Sequence, residues 1–351
     1  MDEQHRVEEI DGYLRSLGAT DEQIRVAWRQ SRIVSLAGDL VVAEGSHLTA
    51  VDLAVRAGAD PELVLSLWHT LGVVVPDENR PMFTERDAEF TTFLITENPV
   101  GTDGHELLRV LGTSLARVAE AAVSLYVQTQ EPPRDTPEAD LLAWAKDLVA
   151  VSAAALRLGD SMGAIFSHHL QDAIDRQRVA QEGMSERALY RLAVGFVDLV
   201  GFTPLSLHTD PVELLGLVSD FEVRAFEVAS KHGGRIVKHI GDEVMFVAFD
   251  AASGCAIAQE ITAAFGDGIE PRGGVSFGSV IARHGDYYGK VVNLASRLAD
   301  LAVPSEVLVD AETVLSAGAH VEFRPAGHRL LKGYDTPVEV FSVGSVSTTA
   351  G

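Results

Sequence analysis

Apolar residues recur at three- and four-residue spacing through Val7–Leu17, Leu107–Val127 and Leu141–Leu158, and this period predicts amphipathic helices. Up to about Arg178 the chain reads almost entirely as helix, its segments separated by proline and acidic turn clusters. The loop Glu131–Pro137 ends by capping the next helix, because Thr136 can accept amide protons and Pro137 suits the first helical position. From His168 to Leu189 the pattern turns polar and stays helical, as in an arm joining two domains. The period then shortens. Leu192–Val197, Ile236–Val237, Val244–Phe249 and Val275–Ile281 are β-branched or aromatic runs that predict strands, alternating with helices over Val212–Ser230 and Ala251–Phe265. The expectation is an all-α half over 1–167, a helical linker over 168–190, an α+β domain with one central sheet over 191–343, and a disordered tail over 344–351.

Composition narrows the partners. The chain has 351 residues, and its 28 basic against 51 acidic side chains leave a net charge of -23. That field repels nucleic acid and anionic membrane, so a phosphate site has to be built locally. A single cysteine, Cys255, excludes a disulfide framework and fits a reducing compartment. Met1–Arg15 is charged throughout and lacks the apolar stretch of a signal peptide. Leu141–Leu158 is interrupted by Lys146, Asp147 and Arg157 and reads as too short to span a bilayer. A soluble, cytoplasmic protein without a membrane span is expected.

Three segments carry chemistry. In Val194–Thr203 a strand ends in Asp198, and Gly201 turns the chain toward a helix. Such a turn aims backbone amides at one spot and presents an acid beside it, which suits a metal-bound triphosphate. Alone, an aspartate before a glycine is a turn or a cap. In Arg235–Val244 a Gly241-Asp242 tip joins two strand-like runs. If the strands bearing Asp198 and Asp242 are neighbours, the two carboxylates can share divalent metals, since magnesium is usually held by one or two carboxylates plus substrate phosphates. In Gly285–Leu298, Asn293 and Arg297 are four apart and lie on one helix face, where they can reach a single ligand.

Together the three segments resemble the signature of the class III nucleotidyl cyclases over about Arg191–Val343. The resemblance implies a ferredoxin-like α+β catalytic domain that makes cyclic AMP and pyrophosphate from ATP. It implies two divalent cations, Mg2+ or Mn2+, at Asp198, Leu199 and Asp242. It implies a base-selecting pair, Lys238 and Asp286, a transition-state pair, Asn293 and Arg297, and substrate contacts at Phe202 and Thr203. Arg272 and Lys332 match basic residues that touch the triphosphate in some members, and read equally well as surface charges. Lysine donating to adenine N1 and aspartate accepting from its N6 amine form a complementary pair, whereas guanylyl cyclases of this class usually carry Glu and Cys there. Family sites lie between two domains, so one domain with every position filled implies a homodimer. A catalytically silent sensor would have lost an aspartate or the Asn/Arg pair. A diguanylate cyclase would carry Gly-Gly-Asp/Glu-Glu-Phe where this chain reads Ile240–Val244.

The helical half resembles the regulatory domain of some actinobacterial class III cyclases, on a pattern such as Ile10–Leu14. It implies an autoregulatory module that contributes to dimerisation. Leu48–Val73 resembles a helix-turn-helix, but its second helix opens Asp60-Pro61-Glu62, not on the Arg, Lys, Asn or Gln a DNA reader needs, so it reads as a packed corner. Two regulatory expectations follow: a pH-dependent switch at His168 and His169 in the linker, and an apolar ligand along Val110–Leu125 and Leu141–Leu158, stripes that are more often core.

Overall fold

A computed structural model describes residues 3–97, 104–129, 141–180, 189–202, 207, 209–265 and 270–346. The chain divides into two units, 1–169 and 170–351.

The first unit is helical among the described residues, and its helix starts are written in the sequence. Thr20, Thr49 and Thr84 each accept an amide three residues on, while Gln23, Asp52 and Asp87 reach back, giving three capping boxes. The elements are α1 (Glu3–Ser16), α2 (Asp21–Arg29), α3 (Ile33–Val42), α4 (Ala50–Ala57), α5 (Pro61–Thr70), α6 (Glu85–Thr96), α7 (Gly104–Thr129) and α8 (Leu141–Ala180). Ile10, Leu14, Ile24, Ile33 and Ala145 form one core. Leu53, Val64, Leu67, Trp68, Phe83 and Leu108 form another, with Trp68 Nε1 donating to Thr91 Oγ1 at 3.2 Å. The expected corner is therefore packed, α4 ending at left-handed Gly58 (φ 63°) before Asp60 caps α5.

Two expectations change here. The stripe on α7 is largely exposed, not core, with Leu115 and Leu125 facing outward, and that on α8 packs over Leu141–Val149 but leaves Leu156 and Leu158 exposed. These helices, 26 and 40 residues long, outrun the two small clusters they dock on. The argument that Leu141–Leu158 is too short to span also fails, because its helix continues to Ala180. By length and composition, Gly104–Val127 and Leu141–Arg178 are both long and apolar enough to cross a membrane.

The second unit contains β1 (Leu189–Leu199), α9 (Pro211–Lys231), β2 (Arg235–Ile240), β3 (Glu243–Ala248), α10 (Ala251–Ala263), β4 (Pro271–Arg283), β5 (Asp286–Tyr288), α11 (Lys290–Leu301), β6 (Val307–Asp310), α12 (Ala311–Ala317), β7 (Val321–Arg329) and β8 (Val338–Val346). The sheet order is β2-β3-β1-β4-β6-β8-β7, with β5 added to β4. Its first four strands, with α9 and α10, give the βαββαβ ferredoxin-like core of an α+β domain. Two departures concern the edges. Leu189 and Tyr190 already pair with Ile281 and Val280, so they belong to the sheet and not to the linker. Val346 pairs with Val321, so β8 runs past the expected end at Val343, while 347–351 lie outside the described residues.

One face of the sheet is sealed by α9 and α10 through Val197, Phe221, Phe246, Ile257 and Ile261, each side chain contributing about 1.5–3 kcal/mol on burial. Cys255 is fully buried in this layer, and burial pushes its thiol up to about 12. On the other face, α11 covers Val194, Phe196 and Met245.

Candidate active site

Asp198 is carried to the end of β1, the centre of the sheet, by a run of buried residues. Gly195 on the same strand has no alternative, because a Cβ there would stand 2.1 Å from the Phe246 ring. β1 pairs with β3 so that Asp198 faces Glu243, one residue from Asp242. The tip between β2 and β3 is a tight turn through Gly241 (φ 66°), and Leu199 N donates to Asp242 O at 3.2 Å. The strands are neighbours, which is the condition for Asp198 and Asp242 to act together.

This corner is crowded with carboxylates. Burial raises the Asp198 carboxyl above its ordinary range, Arg272 opposes the rise, and the Asp242 charge adds to it. Glu243, which the sequence reading passed over as a hairpin charge, is pushed up to about 7 by burial first and then by Asp198, Asp300 and Asp242. It is the one charged residue in the strand Glu243–Ala248, and that isolation was the signal available. Arg272 is the counter-charge: its Nε and Nη2 donate to Asp198 Oδ2 at 3.2 and 3.0 Å.

Among the described residues no three His, Cys, Asp or Glu side chains gather as a complete metal cage. Two carboxylates in a field negative enough to raise their neighbours' pKa values match instead a cation that completes its shell with substrate phosphates. The donor set of Asp198, Asp242 and the Leu199 backbone fits such a cation.

Lys238 on β2 and Asp286 at the start of β5 form a half-buried ion pair, and Asp286 Oδ1 also accepts from Tyr287 N at 2.8 Å. A cavity of about 400 Å³ opens beside Asp286, lined also by Tyr190, Arg235, Phe249 and Tyr287. Arg235 donates to the Tyr287 hydroxyl at 3.3 Å, while its buried Nε has no hydrogen-bond partner.

α11 begins after Gly289, whose φ of 132° suits glycine alone, and carries Asn293 and Arg297 one turn apart. Asn293 is exposed, and Arg297 Nη1 donates to Asp300 Oδ2 at 3.0 Å. Phe202 packs against the main core, Lys332 is exposed in the turn before β8, and Thr203 lies outside the described residues.

Among known proteins, the adenylate and guanylate cyclase catalytic domain family matches residues 254–344. An uncharacterised protein of Mycobacterium tuberculosis is 33% identical over 344 residues, covering 94% of this chain and 88% of that protein. An adenylate cyclase of Streptomyces coelicolor is 32% identical over 279 residues, covering 77% of this chain and 72% of the relative. A pH-sensitive adenylate cyclase of M. tuberculosis is 27% identical over 97% of this chain and 88% of its own length.

Proposed function

Because the chain belongs to the class III nucleotidyl cyclases and is an adenylate cyclase, we propose that it works as a symmetric homodimer with two shared active sites. In each site one chain supplies Asp198, Leu199 and Asp242 to hold two divalent cations, and the other supplies Asn293 and Arg297. The reaction is an in-line attack of the ribose 3′-hydroxyl on the α-phosphorus with pyrophosphate leaving, so catalysis rests on positioning and charge stabilisation. The bound cations would supply polarisation of the 3′-oxygen and charge neutralisation on the phosphates.

The protein's own groups do the rest. Arg297 presents a planar fork of donors to the α-phosphate as negative charge grows there, and Asn293 holds the ribose ring oxygen. Lys238 and Asp286 exchange their mutual bond for the adenine edge, lysine to N1 and aspartate from N6. Guanine would set its O6 acceptor and its N1–H donor against the wrong partners, leaving buried polar groups unpaired. The ion pair of Lys238 and Asp286 is the observation that carries the preference for ATP. Incubating full-length protein with ATP or GTP and manganese or magnesium, beside an Asp242→Ala control, tests this. Cyclic AMP that disappears in the control is expected; cyclic GMP as the main product would overturn the reading.

The helical unit is read as regulatory, and the exposed apolar faces of α7 and α8 suit contact with a second copy. His168 and His169 stand exposed on α8, and the pH-sensitive name of one relative supports a proton-linked response there. Replacing both with alanine should flatten the pH profile of full-length activity; an unchanged profile rejects the switch. The protein is read as soluble and cytoplasmic, because α7 carries Arg109, Arg117 and Glu120 and α8 carries Lys146, Asp147, Arg157 and Asp160. Recovery in the membrane fraction after cell lysis would reverse that placement.

A further inference from the structure

The start of β4 holds the end of α11 and the loop that follows it. Ser305 N donates to Pro271 O at 2.9 Å, and Gly273 N donates to Glu306 O at 2.8 Å. At Gly274 a Cβ would lie 2.2 Å from Ala299 N and 2.4 Å from Ala295 O, so the helix backbone rests directly on the strand. Arg272 joins the two. Its Nη1 donates to the carbonyls of Asp300 (2.7 Å) and Ala302 (3.3 Å), while Nε and Nη2 hold Asp198. Carbonyls in the last turn of a helix lack intrahelical donors, and a cation there is favoured by the helix dipole.

Asp300 carries the connection onward. Its carbonyl is held by Arg272, and its carboxylate accepts from Arg297 at 3.0 Å. Asp198, Arg272, Asp300 and Arg297 therefore form one hydrogen-bonded line. The Arg297–Asp300 pair is exposed and adds little stability; what it does is set where the Arg297 guanidinium stands in this structure.

On the shared-site reading, the two ends of this line serve different active sites, Asp198 in one and Arg297 in the other. We propose that Arg272 and Asp300 are positioning residues that couple the two sites of the dimer, so that occupancy at Asp198 in one site sets the stance of Arg297 in the other. Both bonds to Asp198 fall on a single oxygen, Oδ2, and a cation recruited to the same carboxylate draws on the charge that holds Arg272 and so changes its pull on the last turn of α11. Only a planar fork engages both ends at once; a lysine would hold one.

Mixed dimers separate this role from any direct contact of Arg272 with substrate. One chain carries Asp242→Ala and still gives Asn293 and Arg297; the other carries Asn293→Ala with Arg297→Ala and gives the metal ligands. Each is silent alone, and their mixture has one working site. Arg272→Gln added only to the Asp242→Ala chain lies away from the working metals. It should still lower kcat by about tenfold with the KM for ATP unchanged, and Arg272→Lys there should not restore it. Asp300→Asn in the same chain should give the same loss while leaving β4 intact. As a readout apart from activity, Mn2+ should alter amide hydrogen exchange over 298–303 in the unsubstituted protein and not in Arg272→Gln. Unchanged kcat in the substituted mixture, or an identical exchange response, overturns the coupling while leaving the shared site standing. Silence of the unsubstituted mixture, with wild-type protein active, overturns the shared site and the coupling with it.

Discussion

Glu243 makes the metal-free enzyme less stable as it ionises, and the size of that effect follows from its surroundings. Its carboxyl is raised from an ordinary 4.5 to about 7 by burial and by the charges of Asp198, Asp300 and Asp242. A shift of that size corresponds to about 3.4 kcal/mol at 1.36 kcal/mol per unit, and partial exposure cuts it to about 1–2 kcal/mol. The folded state prefers the protonated form, so this stability is fully present below pH 4.5 and is lost as pH rises through about 7. Glu243→Gln keeps the shape and removes the titration. Thermal melts in EDTA across pH 4–8 should therefore show wild type falling relative to Glu243→Gln, by roughly 2–8 °C in Tm between the two ends. Asp310 titrates in both proteins and cancels in the difference, and the repulsion between Asp198 and Glu243 is already counted in the rise of Glu243. Parallel curves across the whole range would refute the reasoning.

Other consequences are open to direct measurement. Lys238→Met removes a charged donor from the base site and should lower kcat/KM for ATP by about 10- to 100-fold while sparing GTP; an equal loss for both nucleotides contradicts the recognition scheme. Gly274→Ala forces a methyl into the backbone of α11 and should cost about 1–3 kcal/mol, seen as an earlier urea midpoint; no shift would mean that the helix is not seated on β4. Thr49→Ala dismantles one capping box at α4 and should cost about 1 kcal/mol in the same assay, with cyclase activity of the folded protein retained.

The three segments that carry the cyclase resemblance stood out because each places a few chemically specific residues at a strand end or on one helix turn. Asp198, Asp242, Lys238 and Asp286 could be picked out before any fold was known, and the sheet sets the end of β1, with Asp198, beside the turn that carries Asp242 and brings the last two into a pair. β5 and β6 were not legible, because three and four residues are too few to display a period of two. Glu243 escaped because a hairpin charge and a half-buried carboxyl look alike until a neighbouring strand arrives. The stripes of α7 and α8 read as core because periodicity reports an apolar face but not whether anything covers it. Arg272 read as a surface charge or a phosphate contact, and only the packing of β4 against α11 gives its guanidinium two partners at once.

The lone cysteine has a practical corollary. Cys255 is sealed beneath the sheet, and its thiol stays protonated far above neutral pH, so thiol-directed reagents have nothing to attack in the native protein. The natural chain is thus already a clean background for spin labels or fluorophores. Cysteines introduced at exposed positions on α8 or α11 would carry the only reporters, and distances between them could be followed through a catalytic cycle without first altering the core.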